Sequence, residues 1–125
     1  MKDRATTESY PFYGNGSIDS AIPVTRLGPE HFYVLSAAVA QLHDLDQLNW
    51  RKRDGEAVTV TDITDAYGVL VLAGPRARDV LSQCTDTDLT NASFRWLTGK
   101  EATVAGVPGV RLLRVNYVGE LGWEL

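Results

Sequence analysis

The spacing of apolar residues changes character several times along the chain, and each change predicts an element. Residues 1–15 mix Ser, Thr, Gly, Asp and aromatic side chains without a periodic face. Turn formers cluster at Tyr13-Gly14-Asn15-Gly16-Ser17, so this stretch is expected to be a loosely ordered arm. Ile22 to Leu27 is strand-like, Gly28-Pro29-Glu30 supplies a turn, and His31 to Leu35 is aromatic and β-branched, which together predict a hairpin. The period then becomes helical, with Val39, Leu42, Leu45, Leu48 and Asn49 at helical spacing. Arg51-Lys52-Arg53 complement the negative end of that helix, and Asp54-Gly55 stops it.

Ala57 to Ile63 alternates as a half-buried strand would, and the nearly continuous Val and Leu of Tyr67 to Ala73 suit a central one. Gly74-Pro75 opens a second helix whose apolar stripe is Ala77, Val80, Leu81 and Cys84, which makes Cys84 a core thiol. After polar Thr85 to Ser93, Glu101 to Ala105 and Val110 to Val118 form a second hairpin turning at Gly106-Val107-Pro108-Gly109. Strands and helices in this order indicate an α+β fold, a largely antiparallel sheet with two packed helices.

A length of 125 residues suits one domain, and 44% hydrophobic with 22% charged residues is an ordinary globular balance. The net charge of -4 disfavours nucleic acid and anionic membranes as partners, and no apolar run approaches membrane-spanning length. Cys84 is the single cysteine, and no signal peptide is visible, so a reducing, cytoplasmic location is expected. His31 and His43 share no metal-ligand spacing, and no metal site is expected. Gly14-x-Gly16 lacks the strand, third glycine and helix of a dinucleotide fingerprint, and no flavin (FAD) site is expected in this chain. Asn91-Ala92-Ser93 fits a glycosylation acceptor only by chance.

The most distinctive run is Asn116-Tyr117-Val118-Gly119-Glu120-Leu121-Gly122-Trp123-Glu124-Leu125, where two glycines bracket a carboxylate after a strong strand. Glu120 either caps a tight turn or stands at the rim of a sheet. There it would accept paired hydrogen bonds from a ring N–H and an adjacent amino group, with Tyr117 or Trp123 as a flat wall.

From Arg114 to Leu125 the sequence resembles the signature of the folate-binding aminomethyltransferase fold, shared by the glycine cleavage T protein and the C-terminal region of dimethylglycine and sarcosine dehydrogenases. Val24-Thr25-Arg26-Leu27, Asp62-Ile63-Thr64, Ala73-Gly74-Pro75-Arg76-Ala77-Arg78 and Leu97-Thr98-Gly99-Lys100-Glu101 match further family segments in order. The Thr-Arg-Leu form and His43-Asp44-Leu45-Asp46 are nearer the dehydrogenase branch.

The resemblance covers residues 16–125 and implies a partial domain, truncated at both ends, that binds tetrahydrofolate in one-carbon transfer and is inactive alone. The implied partners are a reduced folate and either the remainder of a parent chain or a flavin amine-oxidising domain. It implies Glu120 as the pterin-holding carboxylate and Tyr117 as a pocket residue. The family's catalytic aspartate falls at Ala21, which has no acid to offer, and Asp19 is the nearest substitute if the local register shifts. The alternative is a non-catalytic folate-binding, regulatory or structural module that keeps the fold without the chemistry.

Overall fold

The computed structural model describes the backbone of residues 4–9 and the whole of residues 16–116 and 118–125. Along the chain run β1 (Arg4–Ser9), β2 (Ile22–Arg26), β3 (Phe32–Val34), α1 (Gln41–Trp50), β4 (Val71–Ala73), α2 (Ala77–Leu81), β5 (Thr98–Val104), β6 (Val107–Leu113) and β7 (Gly122–Glu124). Short 3-10 turns occupy Ala38–Ala40 and Thr64–Ala66. The strands lie in the order β3-β2-β1-β5-β6-β7-β4, and the pairs β1/β5, β5/β6, β6/β7 and β4/β7 are antiparallel. The chain is therefore an α+β protein with an antiparallel sheet, as its hydrophobic pattern indicates.

Length alone suggests one domain, yet the chain divides into two compact units. One comprises Met1–Thr7, Thr25–Tyr33 and Val69–Leu125, and the other Glu8–Val24 and Val34–Gly68. The first holds the hydrophobic cluster: Ala77 and Leu81 of α2, Leu89 and Phe94 of the following loop, Leu112 of β6 and Trp123 of β7. Alternation along β5 and β6 places Ala102, Val104 and Val110 on the same side as Leu112, where they pack around the cluster. Phe94 and Trp123 meet edge to face, with ring centres 6.2 Å apart and planes at 68°.

The β5–β6 hairpin turns at Ala105 (φ 49°) and Gly106 (φ 82°). Two successive left-handed residues give the tight turn that matches strand twist. Val107-Pro108-Gly109, expected in that turn, instead begins β6. The register shift between Ala102 and Val104 gives β6 one extra residue there, where a proline without an N–H is tolerated.

In the second unit, the Asp62 carboxylate accepts the Thr64 N–H at 2.9 Å and the Thr64 hydroxyl at 2.6 Å, which starts the Thr64–Ala66 turn. The Gln41 amide donates to the other Asp62 oxygen at 2.8 Å. These hydrogen bonds, led by that of the Thr64 hydroxyl, hold the Asp62 pKa below its ordinary value.

Several expectations are corrected. Residues 4–9, assigned to a loosely ordered arm, form β1, whose Arg4 and Ala5 pair with Gly99 and Thr98 of β5. Ala57 to Ile63 is no strand, because no neighbouring strand pairs with it among the described residues and Val58 and Ile63 stay exposed. Of Tyr67 to Ala73 only Val71–Ala73 is strand, and it lies at the end of the strand order, leaving Leu70 and Val71 exposed.

Helix α2 stops at Leu81, so Cys84 falls in the turn beyond it and is exposed rather than buried. Helix α1 buries Asp44, which accepts a hydrogen bond from Ser36 Oγ at 2.5 Å, while Val39, Leu42 and Trp50 face solvent. A polar anchor, not an apolar stripe, sets its inward face.

Candidate functional site

Strand β7 is entered through a bend over residues 118–121 that two glycines shape. Gly119 holds φ at +77°, a left-handed conformation that L side chains rarely adopt. At Gly122 a Cβ would lie 3.1 Å from the Leu72 carbonyl oxygen and 3.3 Å from that of Val115, so the backbones of three segments meet there at glycine distance.

Glu120, on this bend, is exposed, and its Oε2 lies 3.6 Å from where a Cβ on Gly74 would stand. Tyr117, the expected pocket residue, lies outside the described residues. Trp123 points into the core and is wholly buried against Phe94, so it walls no open site.

Alternation turns Glu124 to the opposite side of the sheet from Trp123. Its cross-strand neighbours are Val71 on β4 and Leu113 on β6, both apolar. Oε2 of Glu124 is buried with no hydrogen-bond partner among the described residues. Burial pushes the Glu124 carboxyl above its ordinary pKa of 4.5, because the apolar flanks disfavour the charged form. Arg111 shares this side of β6 by alternation, and its guanidinium lies 4.7 Å from the centre of the Tyr33 ring.

A carboxylate in this position can accept two parallel donors from a flat heterocycle, which restores the hydrogen bonds lost on burial. The glycine bracket in the sequence points to Glu120. Strand alternation around Trp123, readable once β7 is located, points to Glu124.

In the second unit Asp19 precedes β2 with its side chain 2% exposed, and its Oδ1 lies 2.9 Å from His43 Nε2. Asp19 is thus engaged by an imidazole, and Ala21 is exposed. Among the described residues, no three His, Cys, Asp or Glu side chains are placed to hold a metal ion, and no helix is long and apolar enough to cross a membrane.

An antiparallel sheet with α2 packed against β4 and β7 on one side and the buried Oε2 of Glu124 on the other defines an α+β domain. By sequence, the chain belongs to the GCVT N-terminal domain family, whose model matches residues 6–125. It is 36% identical over 121 residues to mitochondrial dimethylglycine dehydrogenase of Mus musculus, covering 96% of this chain and 14% of that protein. Mitochondrial sarcosine dehydrogenase of Mus musculus is 33% identical over 125 residues, with 88% of this chain and 13% of that protein aligned. An aminomethyltransferase of Koribacter versatilis is 30% identical over 115 residues, which are 90% of this chain and 29% of that protein. The chain therefore spans about a seventh of the dehydrogenases and under a third of the aminomethyltransferase.

Proposed function

We propose that this chain binds a reduced folate as part of a one-carbon transfer protein, with Glu124 holding the pterin ring. The buried Oε2 of Glu124, which has no hydrogen-bond partner among the described residues, supports the reading. A pterin presents a ring N–H beside an amino group, and the half-buried Glu124 carboxylate, whose Oε2 is buried, offers acceptors for that pair. Glu120, being exposed, serves at the rim, where its charge is solvated and a hydrogen bond gains less.

In the parent activity, the nitrogens of tetrahydrofolate take up a carbon released as formaldehyde or an iminium from a secondary or tertiary amine. The amine oxidation that releases this carbon belongs to a flavin domain elsewhere in a longer protein or in a partner. The single cysteine suits a reducing compartment, either cytoplasm or the mitochondrial setting named for the dehydrogenase relatives.

A second reading is favoured by Ala21 and by the engagement of Asp19 with His43: the domain binds folate without catalysing transfer. Calorimetric titration with tetrahydrofolate tests the first claim. Saturable binding is expected, weakened about tenfold or more in Glu124→Gln through loss of a charged acceptor and less in Glu120→Gln. Binding that is absent, or indifferent to both substitutions, refutes the folate reading. A methylene-transfer assay on wild type and Ala21→Asp separates the two readings: activity appearing only with the added carboxylate supports the non-catalytic one.

A further inference from the structure

On the helix side of the sheet, opposite Glu124, two arginines converge on one residue. Arg78 Nη2 and Arg114 Nη2 donate to the same oxygen, Asn91 Oδ1, at 2.6 and 2.8 Å. Their other hydrogen bonds go to main-chain carbonyls. Arg78 Nε donates to the Leu89 carbonyl at 2.9 Å, and Arg114 Nη1 donates to the Phe94 carbonyl. The Trp123 ring backs both charges, with its centre 5.9 Å from the Arg78 guanidinium and 5.8 Å from that of Arg114. The ion pairs among the described residues involve neither arginine.

We propose that Arg78 and Arg114 form an oxyanion-binding site for a carboxylate or phosphate group, with Asn91 Oδ1 standing where an oxygen of the anion would sit. Two like charges drawn to one neutral acceptor repel each other, and a loop could be tied down by either alone. A negatively charged oxygen in the same place adds an ion-pair attraction to both donors that a neutral amide lacks and offsets the repulsion. The planar guanidinium suits both carboxylate and phosphate oxygens.

Two further observations agree. Arg114 Nε is buried without an acceptor, and burial together with the charge of Arg78 lowers the Arg114 pKa. Asn91 is exposed within a turn, so its side chain has room to swing away and admit a ligand.

The test measures thermal shifts and amide NMR shifts on addition of inorganic phosphate, or of glutarate, against chloride at equal ionic strength. A saturable response in wild type is expected, lost in Arg78→Gln and tightened about tenfold in Asn91→Ala, where the internal competitor is gone. Asn91→Asp supplies the anion internally, so it should raise the melting temperature and abolish the response even if Arg78→Gln folds poorly. A response to phosphate alone assigns a phosphate ligand, and one to glutarate alone assigns a carboxylate. No saturable response in either wild type or Asn91→Ala, or a response unchanged in Arg78→Gln, overturns the proposal.

Discussion

Replacing Glu124 by glutamine tests the central feature of the candidate site without any ligand. The raised carboxyl pKa sets the sign. A folded-state pKa above the unfolded one means that the folded protein holds its proton more tightly. The associated stability is therefore fully present below the unfolded value, near 4.5, and is lost as pH rises through the folded value. Above its folded pKa the native carboxylate is charged while its Oε2 is buried with no hydrogen-bond partner among the described residues.

An orphaned buried polar group costs about 1–3 kcal/mol, and the partial exposure of Glu124 puts its cost at the low end, about 1 kcal/mol, after solvent screening. Glutamine keeps the shape and removes the charge. The variant should be about 1 kcal/mol more stable than wild type at pH 7–8, a rise of about 3–5 °C in melting temperature for a chain of this size. Below pH 4 the advantage should vanish. Urea unfolding followed by tryptophan fluorescence from pH 3.5 to 8 measures it. A variant-minus-wild-type difference that stays flat with pH, or that favours wild type at neutral pH, would refute the account of Glu124. A substitution that stabilises the free protein while weakening folate binding is what a site held in a strained electrostatic state produces.

Other outcomes follow from the packing. Gly122→Ala forces a methyl group to within 3.1 Å of the Leu72 carbonyl, so a loss of about 1–3 kcal/mol is expected in urea titrations, and an unchanged midpoint would mean that β4 and β7 are not held so closely. Cys84, exposed beyond α2, should react with a disulfide reagent in the native state at one equivalent per chain, whereas labelling that needs denaturant would return it to the core.

The parts of the fold legible in the sequence are those where one signal suffices. The first hairpin needed only two strand-like runs around a turn, and the start of α2 needed only Gly74-Pro75 before an apolar pattern. The second hairpin, by contrast, turns earlier than expected, at Ala105-Gly106, and its second strand ends at Leu113 rather than Val118. Where partners decide, the pattern misled. Tyr67 to Ala73 has the composition of a central strand, but centrality depends on what lies on the far side, and β4 ends the strand order. Helix α1 has apolar residues at helical spacing, yet Ser36 captures Asp44 and turns that side inward, a choice of hydrogen-bond partner that no periodicity encodes.

The same distinction governs the site. Gly119 and Gly122 are conspicuous in the sequence and draw attention to the residue between them, but they serve the backbone: one takes a left-handed turn and the other admits two carbonyls. The side chain they isolate, Glu120, is left in solvent. Glu124 is inconspicuous in sequence, one more acidic residue near Trp123, and gains its character only when β7 is placed between β6 and β4 and alternation turns it away from the core. Arg78, Asn91 and Arg114 are similar, since residues 13 and 23 positions apart become one cluster through the loop that carries Phe94 into the core. Among the described residues Glu124 Oε2 and Arg114 Nε are buried without a hydrogen-bond partner, and these two atoms are the physical ground for expecting ligands on both sides of the sheet.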